Sequence, residues 1–217
     1  MHQTEKYLKP TATIDCDAKS IKEKARELTT GQEEVTERAK CLFYFVRDEI
    51  KYNMYSPFYL VEHYKASAIL HRREGYCVQK AVLLAALARA IDIPARLRFA
   101  DIRNHILSEK ALEVLGTNLM VYHGYDELYI KGKWIKATPI FDVKMCQEKR
   151  IIPVEFDGKD HAILHSHNRE GKLHFEYIQD HGHYKDLPLN EILNAWVQTY
   201  GSERVEHFKV TFGNTTK

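Results

Sequence analysis

GYCVQKAVLLAALA, residues 75–88, places a cysteine at the point where a glycine-containing turn becomes an apolar helix. Backbone N–H groups at a helix start lack partners within the helix, and the helix dipole is positive there. Both effects favour the thiolate, which is the nucleophilic form of cysteine. We therefore expect Cys77 to have a lowered pKa, and we expect Gly75 to supply an unusual backbone angle and room for a close ligand.

The surrounding pattern predicts an α+β fold. The helix from residue 77 to about residue 91 is apolar on nearly every face, so it is expected to be buried. Strands are predicted downstream at 95–100, 119–130 and 134–138, with Lys131-Gly132 as a hairpin turn. The fold class that follows is a nucleophile helix packed on an antiparallel sheet.

Helical spacing and turn residues predict the remaining elements. Residues 101–117 are expected to form a loop with some helix. The other predicted elements are helices at 21–28, 32–50, 66–71 and 189–200, the last of these ending before Gly201, and a strand at 173–178.

Composition excludes several classes of function. The 217 residues include 32 basic and 30 acidic side chains, and the net charge of +2 does not predict a nucleic-acid-binding surface. No apolar run approaches the roughly 18 residues of a membrane span, so no membrane partner is expected. The start of the sequence has no apolar signal segment, which favours a cytoplasmic location.

The four cysteines show no zinc-knuckle or CxxC spacing, and we expect free thiols. They are Cys16, Cys41, Cys77 and Cys146. Cys41 lies in a helical apolar pattern and is predicted to be a buried small hydrophobe.

His123 is the candidate general base. Alternation along the predicted strand puts His123 on one face with Tyr125, Glu127 and Tyr129. Imidazole is the usual partner of a nucleophilic thiol. A lone strand histidine is more often structural. The hypothesis of a general base therefore depends on His123 being paired with Cys77.

Together these segments resemble the transglutaminase-like (papain-like cysteine protease) superfamily. The family pattern runs roughly G-x-C, G-I-P-A-R, H-A-W-x-E-x-Y, W and D-P-T. This sequence has GYC at 75–77, DIPAR at 92–96, HGYDELY at 123–129, Trp134 and ATP at 137–139. The resemblance covers about residues 35–142. It implies a papain-like core and a thiol hydrolase, a peptidase or amidase more often than a crosslinking enzyme.

The resemblance also assigns roles to individual residues. Cys77 would attack an amide or ester carbonyl, and His123 would move the proton. The Cys77 backbone N–H would stabilise the oxyanion, with Tyr59 or Asn53 as candidates for a second donor. The acceptor, water or an amine, stays open. The implied substrate is a peptide or protein amide, and neither a cofactor nor a calcium site is expected.

The third catalytic position departs from the family pattern. Thr138 stands where the family has aspartate, and a hydroxyl adds no negative charge beside imidazolium. Asp142 lies four residues later and is the alternative if the chain turns back. Asp126 is disfavoured because alternation points it to the opposite face of the strand.

Aromatic residues crowd the segment 52–64, which is expected either to pack over the core or to form a wall of the cleft. Tyr59, Tyr76 and Tyr125 are the predicted substrate-binding residues.

The sequence predicts a single domain over residues 1–217. An N-terminal arm (1–18) precedes a catalytic core (19–145), and residues 146–217 could cover the cleft. Histidines concentrated in 161–183 raise a metal-dependent hydrolase as a minor alternative. The main alternative is a catalytically inactive binding module, because Thr138 replaces a charged residue. The oligomeric state stays open.

Overall fold

The buried helix expected from residues 75–88 forms, and the other elements pack around it. The computed structural model describes residues 4–212. The helices are α1 (Lys19–Leu28), α2 (Val35–Tyr44), α3 (Ala66–Arg72), α4 (Cys77–Arg89), α5 (Glu109–Leu115), α6 (Val143–Lys149), α7 (Leu189–Tyr200) and α8 (Ser202–Phe212). The strands are β1 (Lys51–Tyr52), β2 (Glu74–Gly75), β3 (Ala95–Asn104), β4 (Leu119–Ile130), β5 (Lys133–Ala137) and β6 (Phe175–Tyr184). Residues 1–3 of the predicted arm and residues 213–217 of the predicted C-terminal region lie outside this description.

Four strands form one antiparallel sheet in the order β5-β4-β3-β6, and β1 and β2 form a short parallel pair. The hairpin between β4 and β5 turns at Lys131-Gly132, as predicted. In the β3–β4 ladder, Ala100 pairs with His123, and the register shifts between Ala100 and Ile102. Such a bulge increases the local twist of a sheet. The predicted α+β fold is confirmed.

Helix α4 is the centre of the core. Every residue from Val78 to Arg89 is buried, which matches its apolar composition on all faces. One side of the helix packs on β3 and β4, and α1, α2 and α3 pack on the other side. Only its first residue, Cys77, retains partial exposure.

Two cationic side chains of α4 are buried with it and are satisfied by main-chain carbonyls. Lys80 Nζ donates to the oxygens of Arg47 at 3.0 Å and Ile50 at 2.7 Å, and burial lowers the pKa of this amine to about 7. Arg89 donates to the carbonyls of Ala95 and Lys185. These bonds join the helix to the segment that follows α2 and to the sheet without a buried ion pair.

Several boundaries differ from the prediction. The long helix predicted over 32–50 is divided: α2 ends at Tyr44, and a π-helical turn follows at Phe45–Glu49. Strand β3 continues to Asn104 through the bulge instead of ending at residue 100. The predicted last helix, α7, is followed by α8 directly after Gly201.

The thiols are all unpaired in the described residues, and Cys16 and Cys146 are buried. Cys41 is partly exposed on α2, so the expectation that it is buried is wrong. Among the helices within residues 4–212, none has both the length and the apolar character needed to cross a bilayer.

Asp126 is an unusual member of the core. Its side chain is fully buried, and neither carboxyl oxygen has a hydrogen-bond partner among the described residues. Burial raises the pKa of this carboxyl well above its usual value, and attraction to Arg89 offsets only part of the effect. An unpartnered buried polar group destabilises the folded state, so Asp126 works against the fold.

We predict that Asp126→Asn removes a pH-dependent loss of stability. Because the folded-state pKa of the acid is raised, its contribution is most favourable below the unfolded value of about 3.9 and is lost as the pH rises. The native chain should lose about 1.4 kcal/mol of its free energy of unfolding for each pH unit in which Asp126 is protonated in the folded state and ionised in the unfolded state. Urea denaturation at pH 4 and pH 8 measures this: the two proteins should be similar at pH 4, and the variant more stable at pH 8. Equal free energies of unfolding for the native chain and Asp126→Asn at pH 8 would contradict the raised pKa of Asp126.

Candidate functional site

The cysteine that begins α4 is held by a tightly packed turn. Gly75 ends β2, and a Cβ added to it would come within 2.9 Å of the Gln79 Cβ. Its φ angle is not positive, so the expected unusual backbone angle is wrong. Glycine is required there because the first turn of the helix folds back onto it, and the ligand space predicted beside it is filled by Gln79.

Gln79 fastens the aromatic segment to this turn. Its Oε1 accepts a hydrogen bond from the Tyr76 backbone N–H at 3.2 Å. Its Nε2 donates to the carbonyls of Pro57 at 2.7 Å and His63 at 3.1 Å. One fully buried amide therefore fixes both the helix start and the loop that passes over it.

His123 lies on β4 with its ring buried. The ring stacks on Tyr125 at a centroid distance of 5.9 Å and meets Tyr177 edge-on at 6.4 Å. Its Nε2 is buried and has no hydrogen-bond partner among the described residues. Within residues 4–212 the imidazole is therefore positioned by aromatic packing, and no carboxylate is hydrogen-bonded to it.

Gly124 brings the strand and the helix together. A Cβ on Gly124 would lie 2.9 Å from the Val78 Cα, so the backbone of β4 reaches the first turn of α4 only because this residue has no side chain. The Gly124 amide also acts on the Cys77 thiol and favours its thiolate. The residue after His123 and the residue after Cys77 are thus in direct contact.

Cys77 and His123 both line one cavity of about 110 Å³. Its walls come from the aromatic segment, from β3 and β4, from the residues after β5, and from α5, α7 and α8. Aromatic lining residues are Tyr52, Tyr55, Phe58, Tyr76, Tyr122, Phe141, Phe175, Trp196, Tyr200, Phe208 and Phe212. None of the described lining residues is Asp, Glu, Lys or Arg.

The cavity keeps both candidate reacting groups neutral. Burial raises the pKa of the Cys77 thiol to about 11, although the backbone amides of Gly124, Val78 and Cys77 itself act in the opposite direction. Burial lowers the pKa of His123 to about 3. The expected depression of the thiol pKa is therefore wrong for this arrangement: loss of solvation outweighs the helix start. Cys77 is partly exposed, and it lines this cavity.

The structure places the candidates for the third catalytic position in different surroundings. Extending the β4–β5 register by one residue puts Thr138 opposite Tyr125, on the His123 face of the sheet. The Thr138 side chain is fully buried. Asp142 instead caps α6, where its Oδ1 accepts from the Met145 N–H at 2.8 Å. Asp126 lies on the opposite face, as predicted.

Tyr177 is a neighbour of this position that the sequence did not indicate. Burial raises the pKa of the Tyr177 hydroxyl, and the nearby Thr138 side chain partly offsets the shift. The same hydroxyl accepts from the Leu164 N–H at 3.4 Å. Tyr177 lies on β6, more than fifty residues from His123 in sequence, and no local pattern links the two.

The predicted substrate-binding residues occupy different places. Tyr76 lines the cavity. Tyr125 is fully buried against His123, and Tyr59 packs on His63. Neither tyrosine is among the described residues that line the cavity. The Asn53 side chain, a candidate oxyanion donor, donates to Glu74 Oε1 at 3.1 Å.

The histidines of residues 161–183 have separate surroundings. His161 Nδ1 accepts from the Lys136 N–H, His174 stacks on Phe175, and His181 pairs with Asp101. Within residues 4–212 no group of three or more His, Cys, Asp or Glu side chains is arranged to hold a metal.

Known proteins share this core. The family model of the transglutaminase-like superfamily matches residues 22–139, more than half of the chain. Cys77, His123 and Thr138 lie inside the match, whereas Asp142, α7 and α8 lie outside it. No curated protein matches the chain.

Two solved structures from bacteria are similar over part of their length. A proposed cysteine protease from Cytophaga hutchinsonii is 21% identical with a TM-score of 0.50, over 64% of this chain and 42% of that one. The periplasmic domain of TgpA from Pseudomonas aeruginosa is 19% identical with a TM-score of 0.42, over 61% of this chain and 45% of that one. This chain thus spans less than half of either, and at this identity the first similarity concerns the fold alone.

We predict that Cys77 alkylates slowly at neutral pH. With a thiol pKa of about 11, the thiolate fraction at pH 7.5 is far below that of a free cysteine, whose pKa is about 8.5. Mass spectrometry after iodoacetamide treatment at a series of pH values gives the rate at Cys77, with Cys41 in the same molecule as an internal comparison. The Cys77 rate should keep rising above pH 9, and a plateau below pH 8 would contradict the neutral resting state.

Proposed function

The chain belongs to the transglutaminase-like superfamily, and we propose that it is a cysteine enzyme that cleaves or transfers acyl groups at amide bonds. The observation that carries the proposal is that Cys77, at a helix start, and His123 both line one cavity. A peptidase or amidase is the proposed class, with a peptide or protein amide as the donor.

The neutral resting state defines the first step. His123 accepts the thiol proton as Cys77 Sγ attacks the carbonyl carbon, so a C–S bond forms while the carbonyl electron pair moves to oxygen. The Cys77 backbone N–H is the proposed donor to that oxyanion, since it lies at the start of α4. Imidazolium then protonates the leaving nitrogen as the C–N bond breaks. Water or an amine attacks the thioester and returns the thiol.

Thr138 is the proposed neighbour of His123 at the third position. It lies on the His123 face with a buried hydroxyl beside Tyr177, whereas Asp142 is engaged in capping α6. A hydroxyl can accept a hydrogen bond from the imidazole N–H but cannot stabilise imidazolium as a carboxylate does. The charged intermediate therefore depends more on the oxyanion donors and on exclusion of water.

A catalytically inactive binding module is the second candidate. Two observations favour it: Thr138 carries no charge, and burial holds thiol and imidazole in their neutral forms. Such a module would bind ligands in the cavity without forming a bond to Cys77.

The test is formation of a thioester at Cys77. The native chain is incubated with a library of peptide amides and activated acyl esters, and intact-mass spectrometry detects acyl adducts. We expect an adduct on Cys77 that is absent in Cys77→Ala, and we expect His123→Ala to slow its formation by about 10²–10⁴-fold. Cys41→Ala, at a partly exposed thiol on α2, is the matched control and should keep the adduct. Ligand binding without any Cys77-dependent adduct would support the binding module.

Thr138→Asp should supply the carboxylate that the family pattern has and this chain lacks. An opposite charge near imidazole favours its cationic form, so the His123 pKa should rise by at least about one unit. NMR titration of the His123 ring protons measures the shift, and Thr138→Val, similar in shape but without a charge, should not reproduce it. An unchanged pKa in Thr138→Asp would place this position away from the imidazole.

A further inference from the structure

The C-terminal helices form one wall of the cavity at Cys77. Trp196 and Tyr200 of α7 and Phe208 and Phe212 of α8 form part of its lining. These helices lie beyond the residues that match the superfamily, so this wall belongs to the chain's own extension.

The wall is attached on both sides of the cavity. Phe58 packs on Trp196 at a ring distance of 4.9 Å, which ties α7 to the aromatic segment. The Tyr200 hydroxyl accepts from the Val121 N–H at 3.2 Å and donates to the Leu119 carbonyl at 3.3 Å, which ties α7 to β4. Arg204 donates at 2.7 Å to the carbonyls at the end of α5, Glu113 and Val114. The cavity therefore has a defined shape.

The lining sets the chemistry of what the cavity accepts. A charged group would leave water without meeting an opposite charge, because no described lining residue carries one and His123 is neutral. Burying an unpaired charge is strongly unfavourable, whereas aromatic walls favour apolar groups.

The volume sets the size of the group. A dry apolar cavity of about 150 Å³ holds a benzene molecule. The volume of about 110 Å³ beside Cys77 therefore suits an acyl group of about four to six carbon atoms.

From these features we propose that the site accepts a short, uncharged, apolar acyl group, with α7 and α8 as the elements that limit its length. The inference rests on the proposed function, since the acyl group is the one transferred to Cys77. The carbonyl carbon would lie at the sulfur, the apolar chain would fill the cavity, and the leaving amine or alcohol would remain outside.

Two esters of equal chain length test the charge requirement. The p-nitrophenyl ester of valeric acid and the mono-p-nitrophenyl ester of glutaric acid both carry five-carbon acyl groups, and only the second ends in a carboxylate. The Cys77-dependent kcat/KM, obtained by subtracting the rate of Cys77→Ala, should be at least about a hundredfold higher for valerate. Equal values, or a preference for the glutarate ester, would overturn the proposal while leaving the cysteine enzyme intact.

Variants of α7 and α8 test the length limit. Phe208→Ala should raise the octanoate-to-valerate ratio of kcat/KM by at least about tenfold, because the shortened side chain opens space for more methylenes. Trp196→Ala tests the same wall from the other helix if Phe208→Ala does not fold. Val210→Ala is the matched control, since Val210 is on α8 with 65% exposure and is not among the lining residues. An unchanged ratio in a folded Phe208→Ala or Trp196→Ala variant would overturn the role of the helices.

A binding measurement separates this inference from the reaction. If no Cys77-dependent turnover is found, the proposed function fails, and calorimetry on Cys77→Ala then compares valeramide with the monoamide of glutaric acid. Tighter binding of valeramide would support the apolar site by itself. Equal binding, tighter binding of the charged amide, or binding of neither would overturn it.

Discussion

The close approach of Gly124 to the first turn of α4 is the constraint on which the site depends. The two backbones meet where a Cβ would lie 2.9 Å from the Val78 Cα, and the partners of this contact directly follow the proposed base and the proposed nucleophile. A larger residue would separate strand from helix. The rest of the core supports this contact, because α4 is buried along its length and β4 is an inner strand of the sheet.

Burial controls the electrostatics of this junction. The start of a helix favours a thiolate, and the amides around Cys77 do act in that direction. Loss of solvation has the larger effect, so the thiol and the imidazole are both neutral at rest. An apolar cavity lowers the local dielectric and so strengthens any dipole that acts on a bound carbonyl. In the proposed mechanism, activation of the thiol is coupled to the arrival of a substrate that itself excludes water.

Local patterns predicted much of this fold from sequence. The apolar run gave α4, alternation gave the face on which His123 lies and the opposite face for Asp126, and the G-x-C and H-x-x-x-E segments indicated the family. The sign of the thiol pKa shift was not predictable, because it depends on burial by elements distant in sequence. The same holds for Tyr177 beside Thr138 and for α8 over the cavity, since neither contact leaves a trace in local spacing.

The most direct test of this account is the turnover of p-nitrophenyl valerate by a series of Gly124 variants. The series comprises Gly124→Ala and Gly124→Val, with Gly132→Asn, in the open turn between β4 and β5, as the control. Displacing reacting groups by about 1 Å can cost about a hundredfold in rate. The account predicts that Cys77-dependent turnover falls from glycine to alanine and falls further, by at least about a hundredfold in total, in valine, while Gly132→Asn keeps native turnover. Native turnover in a folded Gly124→Val variant would contradict it.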